Sequence, residues 1–180
     1  MTLPNFITIL RLLTVPLIIM MIAQKRWDVA FALFVLAGLS DAVDGFIARH
    51  YHMKSVLGAY LDAIADKALL VSMYVALAMV GILPIWLAIL VVSRDLMIVA
   101  GVILAWGLMH PITIRPLLVS KINTGFQIGF VAVLLGAKAF NIPLGMWENV
   151  AEWGVASLTL ASMGAYLLIW VRHMADHDHF

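Results

Sequence analysis

The chain has 180 residues, 64% of them hydrophobic and only 12% charged, whereas a soluble globule is near half apolar and about a quarter charged. A formal net charge of +1 argues against nucleic acid as a partner, and the lack of cysteine excludes disulfides and thiolate metal sites. The apolar residues come in runs of about 20, the length a helix needs to cross the hydrocarbon core of a bilayer. The expected class is therefore an all-α, polytopic membrane protein.

Six apolar segments follow one another: Phe6 to Ala23, Val29 to Ala48, Val56 to Val80, Ile85 to Leu108, Ile122 to Ala139 and Val150 to Val171. The first run has a cleaved signal peptide as its rival reading. No basic segment precedes it and no A-x-A site follows, so it is read as a retained first span. Gln24-Lys25-Arg26, Gly81-Ile82-Leu83-Pro84, His110-Pro111 and Asn141-Ile142-Pro143 punctuate the runs as turns. No linker is long enough to divide the chain, so residues 1–180 read as one transmembrane domain.

Loop cations orient the spans. With both termini on the cytoplasmic side, Arg11, Arg49, Lys54, Arg115, Lys121 and Arg172 fall inside, against Lys25, Arg26 and Lys138 outside. Trp27, Trp86, Trp147 and Trp153 then lie near the outer ends, where interfacial aromatics gather. The expected location is a bacterial inner membrane, with the active site facing the cytoplasm.

Five of the ten acidic residues lie in or beside the apolar spans: Asp41, Asp44, Asp62, Asp66 and Asp95. An ionised carboxylate facing lipid costs at least about 2.5 kcal/mol on insertion scales. Asp41 and Asp44 are i, i+3 on the second span, and Asp62 and Asp66 are i, i+4 on the third, so each pair occupies one helical face. A short connection makes these helices antiparallel neighbours, and the two pairs then face each other across a polar cavity at the cytoplasmic side. Four carboxylates at one depth repel one another, and hard divalent cations relieve that repulsion. An all-oxygen ligand set suits Mg²⁺ or Mn²⁺, which keep open positions for phosphate oxygens. Gly45 lets a bulky phosphate approach the backbone, Gly58 lets the partner helix approach, and Arg49 offers a fork for phosphate.

The run Asp41-x2-Asp44-Gly45-x2-Ala48-Arg49-x8-Gly58-x3-Asp62-x3-Asp66 resembles, at all eight fixed positions, the signature of the CDP-alcohol phosphotransferases. The resemblance covers Leu3 to about Gln127, and the sixth span is expected to add only hydrophobicity. It implies a CDP-linked lipid donor and release of CMP, with two metal ions. Asp41, Asp44 and Asp62 would bind metal and, through it, the donor pyrophosphate. Asp66 would complete the second metal site and act as general base on the acceptor hydroxyl. The implied CDP-binding set is Asp41, Asp44, Gly45, Ala48, Arg49, Gly58 and Asp62.

Leu3-Pro4-Asn5-Phe6-Ile7-Thr8-x2-Arg11 is similar to the opening of phosphatidylglycerophosphate and cardiolipin synthases. Ser93-Arg94-Asp95 and Ser120-Lys121-Ile122-Asn123-Thr124 are more similar to the CMP-forming cardiolipin synthases. The resemblance thus implies transfer of a phosphatidyl group from CDP-diacylglycerol to phosphatidylglycerol, forming cardiolipin. Glycerol-3-phosphate is the alternative acceptor. A cation transporter built on the aspartate cluster is a reading of another class, but the outer halves of the spans carry no matching polar trail.

Arg94, Arg115 and Lys121 are candidates for binding the acceptor phosphate. For Arg94 and Asp95, pairing with each other or with a neighbouring helix is an equal alternative. The expected partners are CDP-diacylglycerol, an anionic alcohol acceptor and membrane lipids, with a homodimer left open. The terminal His173, Asp176, His177, Asp178 and His179 read as a solvated, disordered tail.

Overall fold

A computed structural model describes the backbone of residues 3–50, 56–107 and 118–177, and the side chains of 8–41, 64–101 and 118–171. Among the described residues all regular structure is helical: α1 (Leu3–Ala23), α2 (Trp27–His50), α3 (Val56–Met79), α4 (Ile85–Gly107), α5 (Leu118–Ala139) and α6 (Met146–His177). Each apolar run of the sequence is one helix. The largest departure is α6, which continues beyond Val171 to His177. The tail thus departs from the expected disorder as far as His177, because no glycine or proline interrupts Arg172 to His177.

Three helices stop in the same way. Arg26 N–H bonds the carbonyl of Met21, Ile82 that of Leu77 and Ile142 that of Ala137. Lys25, Gly81 and Asn141 donate one turn inside each of these bonds, to Ile22, Ala78 and Lys138. This double closure needs a left-handed residue, and Lys25 (φ 58°), Gly81 (φ 75°) and Asn141 (φ 54°) supply it. The helices that follow start at or next to Trp27, Trp86 and Trp147.

The described residues pack as two compact units. The first holds residues 1–85 and 131–144. In it α1 packs against both α2 and α3. Val15, Ile18 and Ile22 of α1, Ala30, Phe34 and Ala37 of α2, and Leu70, Met73, Tyr74 and Leu77 of α3 are buried. Within each helix these positions recur at three- and four-residue intervals, as one face of a helix requires. Phe31 lies edge-on to Phe140, with ring centroids 5.9 Å apart, and its ring passes over Gly136.

The second unit holds residues 86–130 and 145–180. Leu87 and Val91 of α4, Phe130 of α5, and Val155 and Ala156 of α6 are buried there. The Trp86 and Trp153 rings lie 5.5 Å apart.

Beside the apolar core, several polar residues are buried and many large apolar ones are exposed. Thr8, Arg11, Arg94, Asn123, Gln127, Thr159 and Ser162 are buried, whereas Leu12, Leu13, Leu17, Leu36, Leu39 and Leu168 are exposed. Apolar exposure on this scale is tolerated against lipid, not against water. By length and composition, Leu118–Ala139 and Met146–Val171 can cross a membrane, and Thr8–Ala23 is a shorter apolar stretch, among the described residues.

Candidate active site

The helical backbone is unbroken from Asp41 through Arg49 in α2 and from Gly58 through Asp66 in α3. Asp44 therefore follows Asp41 by about one turn, and Asp62 precedes Asp66 by about one turn, as the spacing predicts. The side chains of Asp44, Arg49 and Asp62 lie outside the described set, as do residues 51–55.

Asp41 and Asp66 are brought together by a residue of α1. Nη1 of Arg11 lies 2.9 Å from Oδ1 of Asp41 and 2.7 Å from Oδ1 of Asp66. Both carboxylates thus sit within reach of a single nitrogen. Arg11 itself is almost wholly buried, while the two aspartate side chains are 40% and 50% exposed. Small buried neighbours, Ala37 one turn before Asp41 and Ala65 beside Asp66, let the three helices approach. Thr14 Oγ1 donates to the carbonyl of Arg11 at 2.6 Å, tying the α1 backbone at that point.

Hard carboxylate oxygens from two helices, converging and half open, suit an oxophilic divalent cation. No group of three potential ligands occurs among the described side chains, a set that excludes Asp44 and Asp62.

The second unit holds a separate polar cluster. The guanidinium of Arg94 donates from Nε to Ser162 Oγ at 3.2 Å, from Nη1 to Asp95 Oδ1 at 2.5 Å, and from Nη2 to Ser120 Oγ and, at 3.1 Å, to Ser162 Oγ. Its partners thus come from α4, α5 and α6. Further along α5, Gln127 Nε2 donates to Thr159 Oγ1 at 3.1 Å, and that hydroxyl donates to Asn123 Oδ1 at 3.2 Å. Lys121 is exposed in the first turns of α5, next in sequence to Ser120. Arg115 lies outside the described residues.

Residues 1–170 match the family described as CDP-alcohol phosphatidyltransferase. The chain belongs to this family. The match extends past Gln127 and into the sixth helix as far as residue 170, further than the motif resemblance. The sixth helix also contributes more than hydrophobicity, since Thr159 and Ser162 complete the polar cluster.

Among curated CDP-alcohol phosphatidyltransferase relatives, the chain is 33% identical to the cardiolipin synthase (CMP-forming) of Rattus norvegicus and 33% identical to that of Homo sapiens, each over 92% of this chain and 60% of the relative. It is 35% identical to the chloroplastic CDP-diacylglycerol–glycerol-3-phosphate 3-phosphatidyltransferase 1 of Oryza sativa subsp. japonica, over 92% of this chain and 56% of the relative. The chain thus spans somewhat more than half the length of these relatives, which come from animals and a plant and do not single out a bacterial membrane.

The signature reading of the family site omits Arg11, which the sequence marks only as the last fixed residue of the opening Leu3 to Arg11 motif and as a cation inside an apolar run. It omits also Ser162, Thr159 and Gln127. Their signal is polar residues at three- and four-residue spacing on otherwise apolar helices, a pattern that suits interhelical hydrogen bonds.

Proposed function

We propose that this chain transfers the phosphatidyl group of CDP-diacylglycerol to the hydroxyl of phosphatidylglycerol, forming cardiolipin and releasing CMP. The observation that carries the reading is the convergence of Asp41 and Asp66 on Arg11 Nη1, inside a signature that the family match covers. The names of the rat and human relatives favour phosphatidylglycerol as the acceptor.

In this reading Asp41, Asp44, Asp62 and Asp66 hold two divalent ions, Mg²⁺ or Mn²⁺. When bound, these ions would neutralise charge on the donor pyrophosphate and on the departing CMP. Gly45, Ala48, Arg49 and Gly58 join Asp41, Asp44 and Asp62 in forming the CDP pocket. Asp66 accepts the proton of the acceptor hydroxyl. The hydroxyl oxygen bonds to the lipid-side phosphorus in line with the bond that breaks. That bond joins the phosphorus to the bridging oxygen, and CMP leaves with its electron pair. Arg115 and Lys121 receive the acceptor phosphate, whereas Arg94 is buried and engaged with Asp95, Ser120 and Ser162, the pairing alternative for that residue.

All six helices cross the membrane in this reading, with both termini and a polar cavity holding the aspartates on the cytoplasmic side. The exposed leucines of α1 and α2 support it. The positions of Trp27, Trp86 and Trp147 at the starts of α2, α4 and α6 support it too, because alternating spans put those starts on one side.

Glycerol-3-phosphate is the second acceptor reading, favoured by the rice relative. An acceptor screen with purified protein tests both. Cardiolipin and CMP from CDP-diacylglycerol and phosphatidylglycerol support the first; phosphatidylglycerophosphate with no cardiolipin establishes the second.

A further inference from the structure

The paired aspartates stand on a cation that their own signature lacks. The Arg11 side chain is 1% exposed, against 40% for Asp41 and 50% for Asp66. The guanidinium therefore approaches both carboxylates from the protein interior and leaves part of each open on the other side. Asp41 and Asp66 belong to different helices and carry like charges, so they repel. Nη1 of Arg11 offsets that repulsion by contacting an Oδ1 of each, at 2.9 Å and 2.7 Å.

We propose that Arg11 is a positioning residue for divalent metal binding, holding the Asp41 and Asp66 carboxylates together before any ion arrives. The inference rests on the metal-dependent reading above. Two effects compete in it. A fixed positive charge beside the site opposes entry of another cation, so charge alone would make loss of Arg11 tighten metal binding. Alignment works the other way, since a partner that holds a ligating carboxylate from behind contributes 10–100-fold in metal affinity.

Alignment wins here for two reasons. Four signature carboxylates outweigh one arginine, so the attraction for cations survives with Arg11 in place. The arginine also joins two helices, so its removal frees both carboxylates to turn apart into the open space beside them. Folding does not hang on the arginine alone, because α1 also buries Val15, Ile18 and Ile22, from about one turn beyond it.

The test is Mn²⁺ titration, read by electron paramagnetic resonance, on the full chain in lipid nanodiscs without nucleotide. The unaltered chain binds Mn²⁺. Arg11→Met, which keeps an apolar side chain and loses the fork, raises the Mn²⁺ dissociation constant by about 10–100-fold. Arg11→Lys gives a smaller rise, because a shorter ammonium serves one carboxylate better than two. In assays, the Mn²⁺ concentration for half-activation rises in both variants and added Mn²⁺ restores part of the lost turnover, a response that general unfolding does not produce. Unchanged or tighter Mn²⁺ binding by helical, folded Arg11→Met overturns the proposal and leaves the metal-dependent reading standing. If Arg11→Met does not fold, unchanged Mn²⁺ affinity in Arg11→Lys overturns it. Absence of Mn²⁺ binding by the unaltered chain overturns both.

Discussion

Arg94 of α4 grips Ser162 of α6 with two nitrogens, Nε at 3.2 Å and Nη2 at 3.1 Å from the same hydroxyl oxygen. Both residues are buried, so their hydrogen bonds have no water to replace them. Ser162→Ala should therefore leave buried donors unsatisfied at a cost of about 1–3 kcal/mol. Arg94→Ala should cost more, about 3–5 kcal/mol, because it also takes the counter-charge from Asp95. Thermal unfolding in detergent should show a lower Tm for both, with Arg94→Ala the lower. Equal Tm for Arg94→Ala and the unaltered chain would mean that this cluster does not hold α4, α5 and α6 together.

The signature aspartates should be separable by assay. Asp41→Asn, Asp44→Asn and Asp62→Asn should each lose most activity and weaken CDP-diacylglycerol binding in Mg²⁺. Asp66→Asn should lose turnover yet keep appreciable donor binding, since Asp41, Asp44 and Asp62, the carboxylates on the donor side, still hold a metal. Arg49→Ala should weaken donor binding. Equal loss of donor affinity in Asp66→Asn and Arg49→Ala would refute this division of roles.

Metal removal gives a coarser check. EDTA should abolish turnover, and Mg²⁺ or Mn²⁺ should restore it. Full turnover in metal-free protein would end the divalent-ion reading of Asp41, Asp44, Asp62 and Asp66.

Two glycines should respond differently to alanine. A Cβ on Gly136 would lie 3.2 Å from the Phe31 ring, and one on Gly154 would lie 3.1 Å from that of Phe126. Phe31 is held edge-on by Phe140, whereas Phe126 is 42% exposed and can swing aside. Alanine gains about 1 kcal/mol over glycine inside a helix. Gly154→Ala should thus match or exceed the parent Tm, while Gly136→Ala, which must move a fixed ring, should fall below it.

The acceptor cations should act on binding of the acceptor alone. Lys121→Ala and Arg115→Ala should raise the acceptor KM several-fold and leave the KM for CDP-diacylglycerol near its original value. A comparable rise in donor KM would place these cations at the nucleotide instead.

The six helices and the one-turn spacing within each aspartate pair were legible in the sequence, the helix ends only to within several residues. Each depends on local physics: runs of about 20 apolar residues, residues such as Gly81 and Asn141 that accept a left-handed backbone, and a 3.6-residue period that aligns Asp41 with Asp44 and Asp62 with Asp66. Which cation meets those aspartates was not legible. Arg11 stands 55 residues from Asp66, and Ser162 stands 68 residues from Arg94. The opening motif marks Arg11 but names no partner for it, and nothing local distinguishes Ser162 from a hydroxyl bonded within its own helix. Those partnerships were decided by which helices pack together and at what depth. A buried charge must find its counter-charge among the side chains that packing brings within reach, however far apart they lie in the chain.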